Sequence, residues 1–185
     1  MTARTLSRIA LPIALAMIGS GTFAQSEAPE GTADRKDHRT DWSIFIEEPP
    51  KVTQRTCWLG SAPLSTKNTR DGAEVQVNRG DIAIFVLYVP GENKRGEVSF
   101  ASGYPFAPNS EAELQIGSAR YALLANGDTA FSADEETDAK IINSMKKGAQ
   151  AVVTARSARG TDTEDTFSLT GFTAAFEKIE SLCGA

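Results

Sequence analysis

The stretch Asp81-Ile82-Ala83-Ile84-Phe85-Val86-Leu87-Tyr88-Val89 decides the architecture of this chain. Its eight apolar residues run without polar interruption and are rich in β-branched and aromatic types. A run of that length and composition reads as a strand covered on both faces, and it is far too short to cross a bilayer. Shorter β-rich runs surround it. Trp42-Ser43-Ile44-Phe45-Ile46 is stopped by Pro49-Pro50, which cannot continue a ladder, and Thr53 to Gly60 forms a second strand. Ser61 to Gly72 has the composition of a loop, and a short strand at Glu74 to Val77 leads into the central run. Downstream, Glu97–Ala101, Leu114–Ile116, Ala119–Leu124, Ala151–Ala155 and Thr166–Leu169 read as further strands. Tight connections are expected at Gly117-Ser118 and Asn126-Gly127, and a turn at Ser157 to Gly160. Strands at this spacing predict a mostly β fold, a sandwich or barrel-like arrangement of antiparallel sheets.

Two helices interrupt the pattern. The first falls within Ala133 to Lys147, with Asp134, Glu135, Glu136 and Asp138 at its start, Lys146 and Lys147 at its end, and Gly148 as its stop. That charge order complements the helix dipole, and Ser132 with Glu135 fits a capping box. The same acids could be read as a metal or acid–base cluster, but solvation of a helix start accounts for them. The second helix is C-terminal. Phe172, Phe176, Ile179 and Cys183 recur at i, i+4, i+7 and i+11, one apolar stripe that turns Cys183 inward.

The N-terminus reads as an export signal. Arg4 and Arg8 precede the apolar Ile9 to Ile18, and Thr22-Phe23-Ala24 offers small residues at the two positions a signal peptidase reads. Residues 1–24 are therefore expected to be removed. Residues 25–40 contain no aliphatic side chain larger than Ala and read as a flexible leader, and residues 41–185 as one domain. The whole chain has a net charge of −5, and loss of Arg4 and Arg8 makes it more acidic. No excess positive charge is available for nucleic acid or anionic lipid, and no segment of the mature chain is expected to span a membrane.

Beyond the inner membrane, cysteines are normally oxidised in pairs. Cys57 and Cys183 are the two in this chain, so one intramolecular connectivity exists, with buried thiols or an interchain bridge as the alternatives. Their separation fits no Cys-x-x-Cys redox or zinc motif.

The sequence offers little for catalysis. His38, in the leader, is the lone histidine, so the usual base for a Ser or Cys nucleophile is missing from the domain, as are histidine-based metal ligands. No catalytic residue, metal ligand or cofactor is expected. Glu47-Glu48 and Asp162-x-Glu164-Asp165 supply neighbouring carboxylates, which leaves a carboxylate hydrolase or carbohydrate-active enzyme as the runner-up; yet adjacent strand residues point to opposite faces. A structural or stress-protective role is the third reading. Two short motifs are candidates for contacts with a protein partner in the envelope or on a host cell. Arg79-Gly80-Asp81 is the tripeptide that integrins read on exposed loops, and it also reads plainly as a turn at Gly80 with polar shoulders. Tyr104-Pro105-Phe106 could form an aromatic shelf or, more simply, cap a core, with an aromatic-Pro bond able to be cis.

Several segments taken in order resemble the invasion-associated locus B family of exported bacterial proteins. They include Asp41-Trp42-Ser43, Cys57-Trp58, Val77-Asn78-Arg79-Gly80-Asp81, Gly96-Glu97-Val98-Ser99-Phe100 and Gly103-Tyr104-Pro105-Phe106. Asp138-Ala139-Lys140-Ile141, Thr154-Ala155-Arg156-Ser157 and Asp165-Thr166-Phe167-Ser168-Leu169 continue the series. The resemblance implies a β-rich periplasmic or envelope domain, named for a member linked to host-cell invasion, and it does not imply an enzyme, a cofactor or a catalytic residue. This chain departs from the family at Ile44-Phe45-Ile46, where other members often carry a further cysteine, and at Gly127 to Phe131, which is poorer in tryptophan than its usual counterpart.

Overall fold

The computed structural model describes residues 34–92 and 94–183; the export signal and the first part of the leader lie outside them. Among the described residues twelve strands form one antiparallel sheet. In chain order they are β1 (Asp34–Arg39), β2 (Trp42–Glu47), β3 (Thr56–Ser61), β4 (Ser65–Arg70), β5 (Ala73–Glu74) and β6 (Ala83–Val89). They continue with β7 (Lys94–Ala101), β8 (Glu111–Ile116), β9 (Ala119–Asn126), β10 (Thr129–Phe131), β11 (Gln150–Arg156) and β12 (Asp162–Ser168). Helix α1 (Glu135–Lys147) is inserted between β10 and β11, and α2 (Phe172–Cys183) follows β12. Neither helix is long and apolar enough to cross a membrane.

The hydrogen-bonded order is β1-β2-β3-β6-β7-β10-β9-β8-β11-β12-β4-β5. It ends at β1 and β5, so the sheet is not a closed barrel, but it curls until its halves face each other. Phe100 on β7 and Phe167 on β12, five places apart in that order, pack edge to face at 6.2 Å. Trp42 of β2 is fully buried and donates its indole N–H to the Ser168 carbonyl at 3.1 Å. Only residues 62–64 separate β3, in one half, from β4, which pairs with β12 in the other.

The core follows from alternation. On β6, Ile84, Val86 and Tyr88 are buried while Ala83, Phe85 and Leu87 are half-buried, so the decisive run has one face in the core and one partly covered. Phe45 and Trp58 stack at 5.6 Å on the outer face, in register with Leu87. That pairing explains an apolar run without strict alternation. Phe172, Ala175, Phe176, Ile179 and Cys183 of α2 are buried, as the stripe predicts, and Cys183 is bonded to Cys57 with Cα atoms 6.5 Å apart.

Four local readings are revised. Residues 34–39, taken as leader, run as β1 beside β2, with Arg39 ion-paired to Asp37 and His38 exposed near Ser43. Residues 65–70, taken as loop, form β4; they carry no apolar side chain, and the strand exists because it pairs with β12. The N-cap of α1 is Asp134, whose carboxylate accepts from the Thr137 N–H at 2.7 Å, and not Ser132. Among the described residues the cis peptide bond is Pro49–Pro50, not Tyr104–Pro105.

Candidate functional site

The two short motifs singled out in the sequence meet where the loop before β6 touches the loop after β7, and Arg79, Tyr104 and Pro105 line one groove. The Gly80 N–H donates to the Gly103 carbonyl at 2.8 Å. The approach depends on Gly103, whereas a Cβ at Gly80 would find ordinary contact distances of 3.5 Å. Gly103 has φ +71°, and a Cβ there would lie 2.6 Å from the Gly80 carbonyl oxygen. The Arg79 guanidinium lies over the Tyr104 ring, 4.9 Å from its centroid. With the β11–β12 turn, these loops enclose an open groove of about 530 Å³.

Arg79 is the fixed point beneath it. Its side chain is 5% exposed, and Asp165 on β12 is 0% exposed. The pair is bidentate: Nη1 donates to Oδ1 at 2.7 Å and Nη2 to Oδ2 at 2.6 Å. Nε and Nη2 also donate to the Ser102 carbonyl, at 3.0 and 2.7 Å. Burial pushes the Asp165 carboxyl up, and the Arg79 hydrogen bonds pull it back toward the charged form. An arginine held this way does not reach a receptor as an adhesive Arg-Gly-Asp motif must; Gly80 and Asp81 alone of that tripeptide are exposed.

Tyr104 is half-buried and its hydroxyl hydrogen-bonds Thr163 Oγ1 at 2.5 Å; burial pushes its phenol up. Phe106 is 7% exposed and packs on Phe100 and Tyr104. It belongs to the core under the groove. Around the rim, Arg70 donates to Thr161 Oγ1 at 2.7 Å, and Arg159 is exposed in the β11–β12 turn.

Arg70 was not among the sequence candidates, and Asp165 was weighed only as one of the paired carboxylates of a hydrolase, not as the partner of Arg79. A signal for Asp165 exists in the alternation of β12: Thr163, Asp165 and Phe167 are buried while Asp162 and Glu164 are exposed, so an inward carboxylate required a cation. Arg70 offered none, because the strand that carries it has no hydrophobic pattern.

The acids at the start of α1 are dispersed in role. Asp134 caps the helix, Glu136 pairs with Lys140 at 2.7 Å, and Asp138 is buried. Asp138 Oδ1 accepts from the Val98 N–H at 2.7 Å and from the Ser132 hydroxyl, which ties α1 to β7; burial pushes its carboxyl up. A second groove of about 550 Å³ runs along this helix past Phe176, whose ring carries the Lys146 ammonium at 4.1 Å. Of the other paired acids, Asp162 is ion-paired with Arg156 at 2.6 Å, and Glu48 with Arg55 at 3.1 Å. Among the described residues no group of three or more His, Cys, Asp or Glu side chains could hold a metal ion.

The crystal structure of invasion associated protein b from Bartonella henselae is similar in fold, with a TM-score of 0.52, 15% sequence identity, and coverage of 80% of this chain and 98% of that one. No match was found among curated protein sequences. The family model for the invasion associated locus B (IalB) protein matches residues 42–180, from the buried Trp42 to the last turns of the disulfide-anchored helix. The chain belongs to the invasion associated locus B family.

Proposed function

We propose that this protein is an exported, non-enzymatic envelope or secreted factor that acts by binding a protein partner in the groove between residues 76–79, 103–105 and 157–161. In this reading the signal is cleaved near Ala24 and residues 41–185 carry the activity. The Cys57–Cys183 bridge and the family both point to an oxidising compartment outside the cytoplasm. The observation that carries the binding role is the buried Arg79–Asp165 pair. A desolvated, bidentate pair costs a great deal to bury and fixes geometry, so with the Ser102 carbonyl it holds the loop before β6 and the loop after β7 against β12. Arg79 and Phe106 then act from below, by shaping the site, while Gln76, Asn78 and the accessible edge of Tyr104 face the partner, with Gly80 and Asp81 exposed beside the groove. Involvement in host contact follows the family's name and not any feature of the groove.

Site-directed photo-crosslinking tests it. Benzoylphenylalanine in place of Ala158, on the rim, is expected to give a discrete adduct in envelope-expressing cells, and the same group in place of Glu177, exposed on α2, is not. Absence of an adduct at position 158, or the same adduct from both positions, removes the groove as a binding site.

A further inference from the structure

The groove's lining has a charge unlike that of the rest of the molecule. The chain carries 24 acidic against 19 basic residues, yet the groove is lined by Arg70, Arg79 and Arg159 and by no Asp or Glu. Asp165 lies beneath, both oxygens committed to Arg79, so the buried pair is neutral and the positive charge at the rim comes from Arg70 and Arg159. Arg159 makes no ion pair or hydrogen bond with a described residue. Arg70 has a hydroxyl partner, Thr161, and no carboxylate partner. Other exposed arginines among the described residues have acidic partners, Arg55 with Glu48, Arg120 with Glu113 and Arg156 with Asp162. The two that face the groove do not.

One wall of the groove is residues 76–78, in neither helix nor strand, whose alternating exposure is that of an extended chain. After the Val75 N–H donates to the Asn68 carbonyl, residues 76–78 continue past the edge strand β5. Their main-chain N–H and C=O groups make no hydrogen bond to any described residue. Gln76 and Asn78 are exposed while Val77 is half-buried. An unpaired extended backbone recognises another extended backbone, and planar guanidinium groups beside it recognise carboxylates two at a time.

Resting on the binding role proposed above, we propose that the groove takes an extended acidic segment of a partner polypeptide. Its main chain lies along residues 76–78, and its Asp or Glu side chains meet Arg70 and Arg159. The net acidity of the surrounding protein confines such a segment to this one basic strip and repels it elsewhere.

Fluorescence anisotropy with a labelled ten-residue glutamate-rich peptide tests the assignment on the purified protein, with its glutamine counterpart, dextran sulfate and inorganic phosphate as comparison probes. The glutamate peptide is expected to bind and to weaken several-fold between low and physiological salt. Arg159→Ala and Arg70→Ala are each expected to weaken it about tenfold, and Arg159→Glu to abolish it, with unchanged circular dichroism, because Arg159 holds no structural partner. Equal binding of the glutamine peptide, or indifference to both substitutions, overturns the proposal. Dextran sulfate or phosphate binding tightly and displacing the peptide also overturns it, in favour of a non-protein anion. The crosslink at position 158 separates the two claims: an adduct without acidic-peptide binding leaves a groove for a partner of different chemistry, and no adduct removes both.

Discussion

At the scale of single residues, two buried carboxylates govern stability in different ways. Asp165 has a cation, and removing that cation strands a charge in the core. Arg79→Ala is expected to destabilise the protein by about 3–5 kcal/mol in urea unfolding, whereas Arg79→Met combined with Asp165→Leu recovers most of the loss, because the desolvation cost disappears with both charges. An unchanged urea midpoint for Arg79→Ala would show that the pair is dispensable to the fold. Asp138 has no cation, only the Val98 N–H and the Ser132 hydroxyl. Its folded pKa is raised, so the native chain holds that proton more tightly than the unfolded chain. The resulting stability is present below the ordinary carboxylate range and is lost as pH rises through the raised value. Asp138→Asn keeps an oxygen to accept both hydrogen bonds and is expected to flatten that part of the stability–pH curve and to be the more stable protein at neutral pH. Asp138→Leu leaves the Val98 N–H unpaired and is expected to cost about 1–3 kcal/mol. Parallel pH curves for wild type and Asp138→Asn would refute this account.

At the scale of elements, α2 is held by sulfur as well as by its apolar stripe. Closing a loop with a sequence separation of 126 contributes about 4–5 kcal/mol in the chain-entropy view. Reduction, or Cys57→Ala with Cys183→Ala, is therefore expected to lower the melting temperature by on the order of 10 °C in a domain of this size. Amide exchange should rise first in residues 172–183, and an unchanged exchange pattern on reduction would show that packing alone retains the helix. The stripe and the bridge were legible because both rest on one periodicity: the spacing that buries Phe172, Phe176 and Ile179 also turns Cys183 inward. The central strand was legible for the same kind of reason. What stayed hidden was structure made by pairing and not by burial. Strand β4, Ser-Thr-Lys-Asn-Thr-Arg, and strand β1, Asp-Arg-Lys-Asp-His-Arg, have no apolar face to announce them. The groove was half legible. Its two motifs stood out separately, but the contact that joins them, Gly80 against Gly103, exists only once β6 and β7 are paired.

At the scale of the whole molecule, the sheet's curl brings β2 and β7 against β12, so one core serves strands from both ends of the hydrogen-bonded order. Trp42→Ala is expected to be among the most disruptive substitutions, at about 3–5 kcal/mol, since it empties a fully buried site and orphans the Ser168 carbonyl. Chemical unfolding checks it. Export carries its own expectation: protein recovered from the envelope should show no thiol on alkylation under denaturing, non-reducing conditions, and two labelled cysteines would contradict the proposed compartment. The bridge has one more implication, for synthesis. Its second sulfur sits on α2, after β12, so the bridge can form only once all twelve strands have been made. The tie is thus the last event that assembly permits, since it waits on the synthesis of every strand of the sheet.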